Sequence, residues 1–378
     1  MSNKILLIEN SARDFYISRL DFSLYLKSCG WNVYVMIPTD NLYSEMIDKE
    51  GINVISYHLD RKNKSIFHIL NLFRRYKKII SDHNFDFIHS FRFQPNFLNV
   101  FFGLSSKAKS IIHITGLGIV FSNNLLKYRI LRCLSQFIYL LKFLFVNKII
   151  FQNPDDIKDV YASKFFKSKV FLIPGSGVDI FHFDPLKYDK SLIRDSLNIS
   201  NDDVLFICVT RLIWEKGIAE LVEAFNKIKF KFPNFRLLIV GSADIDNPNH
   251  VNSDFIDNYN QWDSIKFLGD RNDIPELLSA SDYFILPSYY REGIPRSLLE
   301  ALSMGLPIVT TDMPGCRMTV EAFNNGILIK PKSVDEIIYG LELIIGMNKK
   351  TLGLNSRRLA IEKFQSILIY DKIKNLYK

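Results

Sequence analysis

The chain has 378 residues, 48% hydrophobic and 23% charged, with a formal net charge of +8. That length suits two domains of roughly 150–200 residues rather than one core, and the balance excludes a disordered or low-complexity chain. The first ten residues lack a signal peptide's basic head and small-residue cleavage site. No stretch is apolar enough for a spanning helix; the nearest, 130–146, is interrupted by Arg132 and Lys142.

Four cysteines, Cys29, Cys133, Cys208 and Cys316, lie far apart with no zinc-like pairing, which fits a reducing cytoplasm. The charge is uneven. Residues 1–175 carry 24 basic against 13 acidic groups, and residues 176–378 carry 24 against 27, so the halves are +11 and −3. Between Arg61 and Lys148 there are 15 basic residues and only Asp82 and Asp86. Such asymmetry predicts an anionic partner for the first half, nucleic acid and an anionic membrane both being candidates.

In chain order, apolar runs predict strands at 4–8, 32–37, 52–57, 86–89, 110–114, 148–151 and 169–173, with amphipathic segments such as 18–28, 66–81 and 125–147 between them. Pro174-Gly175-Ser176-Gly177 breaks the pattern and marks the domain boundary. Strands are then expected at 204–210, 236–240, 265–268, 283–286 and 307–310, with a helix at 218–230. This alternation predicts an α/β chain of two doubly wound parallel sheets, each binding at the carboxyl ends of its strands and facing the other across a cleft. The domains are expected at 1–175 and 176–355, with a carboxyl-terminal helix at 356–378 packing back on the first.

The strand at 204–210 runs into Arg211-Leu212-Ile213-Trp214-Glu215-Lys216-Gly217. Arg211 and Lys216 place two cations at the ligand end of that strand, where they suit a diphosphate or stand as solvated surface charges. The richer motif is 287–301, which reads Pro-Ser-x-x-x-Glu-Gly-x-Pro-x-x-x-x-Glu-Ala. Pro295 fits the first turn of a helix running to Met304. Glu292-Gly293-Ile294 then sits at its amino end, where backbone N–H groups favour phosphate or sugar hydroxyls. Glu300 follows on the helix as a second acceptor for vicinal hydroxyls.

These residues, with Phe267-Leu268-Gly269, Thr310–Cys316 and Ile114–Gly118, resemble the family 4 retaining glycosyltransferases of GT-B fold. Among these they are most similar to bacterial surface-glycan enzymes that add N-acetylgalactosamine to undecaprenyl-diphosphate-linked sugars. The resemblance implies that Arg211 and Lys216 hold the donor diphosphate and Glu300 the ribose. Glu292, with the Gly293 and Ile294 backbone, would hold the transferred sugar, and Gly269 and Arg271 would border the base. It gives His113 two readings, a group approaching the donor sugar or a core histidine at a strand end. It also implies a UDP-sugar donor, a polyprenyl-diphosphate-linked saccharide acceptor, no metal or other cofactor, and a peripheral position on the cytoplasmic face of the inner membrane. The loop at 9–14 departs from the family in lacking glycines. Arg296 stands where a smaller or neutral residue is common, touching either substrate or solvent.

Asp244-Ile245-Asp246 matches a metal-binding signature of the other main glycosyltransferase fold but precedes a turn, Asn247-Pro248-Asn249, and reads as a solvated loop. Gly116-Leu117-Gly118 lacks the third glycine of a dinucleotide fingerprint. No nucleic-acid motif accompanies the basic half, so nucleic acid is not expected as a partner. The rival readings are the same scaffold using another nucleotide sugar, a UDP-sugar 2-epimerase, and a non-catalytic basic binding protein.

Overall fold

A computed structural model describes residues 3–57, 66–103, 107–122, 125–243, 247–260 and 262–378. The chain forms two compact units, Met1–Ser176 with Ile369–Lys378, and Gly177–Leu368. Each is built on one parallel sheet.

The first unit contains β1 (Lys4–Ile8), β2 (Asn32–Pro38), β3 (Asn53–Tyr57), β4 (Phe87–Phe91), β5 (Lys109–Ile114), β6 (Lys148–Phe151) and β7 (Val170–Leu172), in the order β3-β2-β1-β4-β5-β6-β7. A parallel sheet is covered on both faces, so its central strands are continuously apolar rather than alternating; Ile5, Leu6, Leu7 and Ile8 are all fully buried. The second unit contains β8 (Val204–Val209), β9 (Phe235–Val240), β10 (Ile265–Gly269), β11 (Tyr283–Leu286), β12 (Ile308–Thr311) and β13 (Gly326–Ile329), in the order β10-β9-β8-β11-β12-β13. β13 is absent from the sequence reading: four residues on a sheet edge, behind Asn324-Asn325, leave a weak signal.

Several helix starts follow side-chain caps. Ser11 accepts from the Asp14 N–H at 3.2 Å, which begins the first helix at Ala12 rather than at residue 18. Asn153 and Ser333 cap later helices in the same way. The last helix, Ser366–Lys374, leaves the second unit and its residues from Ile369 pack into the first. There the Tyr377 hydroxyl meets His89 Nδ1 at 2.5 Å, and Lys148 Nζ donates to the Leu376 carbonyl at 2.6 Å. Among the described residues no helix is long and apolar enough to cross a membrane.

Candidate functional site

In each sheet the strand order reverses at one point, between β8 and β11 in the second unit and between β1 and β4 in the first. Loops leaving the carboxyl ends of such neighbouring strands diverge to opposite faces and leave a crevice.

In the second unit that crevice collects the predicted motif. The Glu215 carbonyl, from the loop after β8, accepts the N–H groups of Tyr289 and Tyr290, from the loop after β11, at 2.9 and 3.1 Å. This ties the two loops together, and the adjacent Lys216 Nζ forms an ion pair with Glu292 Oε1. Ser288 Oγ lies 3.4 Å from the same oxygen, and Thr311 donates to the Ser288 carbonyl. Lys216 is buried, so it lies beneath the loops rather than at the rim as expected, while Arg211 is exposed.

Two glycines make this packing possible. Gly217 has φ +76, and a Cβ there would lie 2.3 Å from the Pro287 carbonyl oxygen. Gly315 has φ +83, and its Cβ would lie 1.9 Å from the Gly293 carbonyl oxygen. Only glycine satisfies both the left-handed backbone and the backbone-to-backbone approach.

The helix of this motif spans Arg296–Ser303. Pro295 is its N-cap, with an extended ψ of 125°, one position earlier than the sequence suggested, and no side chain caps the first turn. Glu300 therefore lies four residues in, about 6 Å along the axis. Its carboxylate is buried and accepts from Arg296 Nε at 2.7 Å, a partner in neither sequence reading of Arg296. Burial pushes the Glu300 pKa up, and Arg296 and then His182 pull it back.

Gly269 ends β10, two strands from β8 in the sheet, and Arg271 follows it. Gly269 has φ +66 with open space around it, and Arg271 closes on Asp273 at 2.8 Å. Asp244-Ile245-Asp246 lies outside the described residues. Among the described residues no cluster of His, Cys, Asp and Glu is arranged to hold a metal.

His113 is on β5 of the first unit and is fully buried, its ring stacked 5.6 Å from that of His89 and its Nε2 3.3 Å from Gln152 Nε2. Burial, then Arg19 and His89, lowers its pKa well below the usual histidine range, and burial takes His89 down to about 3. Full burial and stacking between strands are what the core-histidine reading expects.

The reversal point of the first unit carries a pair the sequence reading missed. Glu9, just after β1, is buried and forms an ion pair with Arg92, just after β4, at 3.3 Å; Arg92 also pairs with Asp14 at 2.7 Å. Arg92 holds φ +71, an uncommon conformation for a non-glycine residue. Burial raises the Glu9 pKa, and Arg92 and Arg19 oppose it. The available signal was an acid immediately following the apolar run Ile5–Ile8.

Comparison with known proteins agrees with this architecture. Residues 189–358 match the family model described as glycosyl transferases group 1, and residues 4–153 match that described as glycosyl transferase 4-like. A Campylobacter jejuni protein, N,N'-diacetylbacillosaminyl-diphospho-undecaprenol alpha-1,3-N-acetylgalactosaminyltransferase, is 28% identical over 99% of this chain and 100% of its own length. The UDP-Gal:alpha-D-GlcNAc-diphosphoundecaprenol alpha-1,3-galactosyltransferase of Escherichia coli is 31% identical over 58% of this chain and 56% of its own. Among solved structures, a glycosyltransferase from Rickettsia africae aligns with TM-score 0.80 at 22% identity, covering 100% of this chain and 98% of its own. Anabaena HepE in complex with UDP and glucose aligns with TM-score 0.81 at 19% identity, covering 99% of each chain. With both sheets of the expected type and both halves matched, the chain belongs to the GT-B glycosyltransferases, joining a 4-like amino-terminal unit to a group 1 carboxyl-terminal unit.

Proposed function

We propose that this protein is a retaining, metal-independent transferase acting in O-antigen, capsule or related surface-glycan assembly. It moves an N-acetylhexosamine, N-acetylgalactosamine first among them, from UDP to a saccharide carried on undecaprenyl diphosphate. The observation that carries this reading is the Lys216–Glu292 ion pair where the strand order of the second sheet reverses, with Glu300 buried on the helix that follows. Lys216 supplies a cation for the donor diphosphate, Glu292 an acceptor for the hydroxyls of the migrating sugar, and Glu300 one for the ribose diol. The full-length likeness to the Campylobacter jejuni enzyme supports the donor sugar and the lipid-linked acceptor.

In this reading the bond from the anomeric carbon to the diphosphate oxygen breaks and a bond to the acceptor hydroxyl oxygen forms on the same face. Lys216, exposed Arg211 and the uncapped helix start at Arg296 stabilise the departing diphosphate. The leaving phosphate oxygen takes the hydroxyl proton. Gly269 and Arg271 border the base. A panel of UDP- and GDP-sugars with a lipid-diphosphate-sugar acceptor, read by mass spectrometry, tests the assignment. An epimerised free nucleotide sugar without transfer would favour the epimerase reading, and turnover only with GDP-mannose would overturn the donor.

The acceptor's lipid stays in a bilayer, so the first unit is the membrane-docking part of this reading. Helix Leu126–Phe145 supports it. Tyr139, Lys142 and Phe143 face the core, while Leu126, Ile130, Leu134, Phe137, Leu141 and Leu144 are 42–71% exposed, at helical spacing along one face. The helix has no acidic residue, and Lys127 and Arg129 are exposed beside the stripe. An apolar face flanked by cations suits the plane of an anionic leaflet. Arg74, Lys77 and Lys78, on helix Ile66–His83, are also exposed. The basic stretch at 61–65 lies outside the described residues.

A further inference from the structure

A carboxylate removed from water keeps its proton unless a positive charge or hydrogen-bond donors hold it ionised. Glu300 is buried, and one hydrogen bond reaches its side chain among the described residues: the Arg296 Nε–H to Oε1, at 2.7 Å. The two residues sit at i and i+4 on one face of the same helix, with side-chain exposures of 34% for Arg296 and 11% for Glu300. A surface pair at this spacing is worth only about 0.3–0.5 kcal/mol. Here one partner is desolvated, so the guanidinium has more to do.

Resting on the reading of Glu300 as the ribose acceptor, we propose that Arg296 is a positioning residue of the nucleotide site. It holds the Glu300 side chain in one rotamer and keeps the carboxylate an ionised acceptor for the vicinal hydroxyls of the donor. Oε1 is taken by Arg296, which leaves Oε2 for the ligand. A protonated Glu300 would present an O–H in place of one acceptor, and the diol would lose part of its partner. The charged groups acting on Glu300 are Arg296 from its own helix and His182 from the segment preceding 3-10 turn Pro185–Lys187. His182 has the weaker effect, so the balance between burial and counter-charge turns on Arg296.

The test is calorimetric titration of the full chain with UDP between about pH 6 and pH 8, comparing wild type, Arg296→Leu, Arg296→Lys and Glu300→Gln. The readout is the ratio of variant to wild-type affinity, in which titration of the ligand's own phosphate cancels. The expected ratio for Arg296→Leu falls several-fold from the alkaline to the acidic end, because without the counter-charge the buried carboxylate takes up its proton at a higher pH. Arg296→Lys, which restores the charge, is expected to flatten the ratio. A helix-packing role alone would lower affinity equally at every pH, so a pH-independent ratio for Arg296→Leu overturns the proposal. Glu300→Gln separates the two levels of inference. If it weakens UDP binding while the Arg296→Leu ratio stays flat, the positioning role fails alone. If it keeps wild-type affinity, the ribose reading fails and takes the positioning role with it.

Discussion

Lys216 and Glu292 are 76 residues apart in sequence and form one ion pair, from the loops after β8 and β11 on either side of the point where strand order reverses. The cation that would meet the donor diphosphate is thus already matched to the carboxylate that would meet the sugar. In the proposed reading, donor binding brings two negative phosphates to a lysine whose charge is shared.

The pair is expected to behave as a unit in kinetics. Lys216→Ala should lower kcat by about a hundredfold or more, the usual cost of losing one donor to developing charge. Glu292→Ala should lower kcat more than it raises donor KM. The double variant should lose less than the product of the single losses, because each single change already removes the same ion pair. Independent, multiplicative losses would argue that the two residues act on separate events.

Glu300→Gln should trade stability for binding. The folded-state pKa of Glu300 is raised by burial, so this group's favourable contribution is fully present below the ordinary carboxylate pKa. It is lost as pH rises through the folded value. At neutral pH the ionised side chain costs the fold, so without donor the variant should melt at a higher temperature than wild type. It should bind donor more weakly by about 1.5–3 kcal/mol, the worth of a hydrogen bond to a charged group. Thermal melts with and without UDP check both signs.

Activity is expected to survive EDTA, since Lys216, Arg211 and the start of helix Arg296–Ser303 offset the diphosphate charge in the proposed reading. Loss of activity with EDTA, restored by manganese, would return residues 244–246 to consideration as a site.

Membrane docking has its own check. Replacing Ile130, Leu134 and Phe137 together by Gln leaves the core untouched, since all three are exposed, and should abolish flotation with anionic liposomes. Wild-type flotation should fall steeply with salt, because each exposed cation near an anionic leaflet contributes about 1 kcal/mol. Neutralising Arg74, Lys77 and Lys78 should weaken it further. Wild type that ignores anionic vesicles at low salt would leave the apolar face needing another partner.

The stability of the second unit leans on Asp282, at the start of β11. It is buried, yet Lys190 and Lys349 reach Oδ1 at 2.8 and 2.7 Å, and Arg194 and the Leu205 N–H reach Oδ2 at 2.5 and 2.9 Å. Burial alone would raise its pKa, but the cations outweigh that and hold it well below the carboxylate range. Its contribution is present above the ordinary pKa and lost only as pH falls through a strongly acidic value. Asp282→Ala should cost about 3–5 kcal/mol, because buried Arg194 loses its counter-charge. Urea titration at neutral pH measures this.

Much of the fold is legible because its signals are local. Ile5–Ile8 and Leu205–Cys208 are consecutive apolar residues and are buried as central parallel strands. The motif at 287–301 places Glu292 before a helix and Glu300 on it, as its spacing implies. The Arg296–Glu300 pair was also within reach, since i and i+4 residues share a helix face; what hid it was reading Arg296 only against ligand or solvent. β13 and the Pro295 cap were misread because four-residue edges and single-residue helix boundaries carry little pattern.

By itself the sequence determined the two parallel α/β sheets, the motif-bearing loops and the family to which they belong, all encoded in short runs of residues. Only the tertiary structure decided that Lys216 is buried against Glu292, that Glu9 and Arg92 meet at the corresponding place in the first sheet, and that His113 sits buried and stacked on His89. Those outcomes depend on which strands become neighbours. Strand order is settled by long-range packing of helices on both sheet faces, and no local period of apolar residues encodes it.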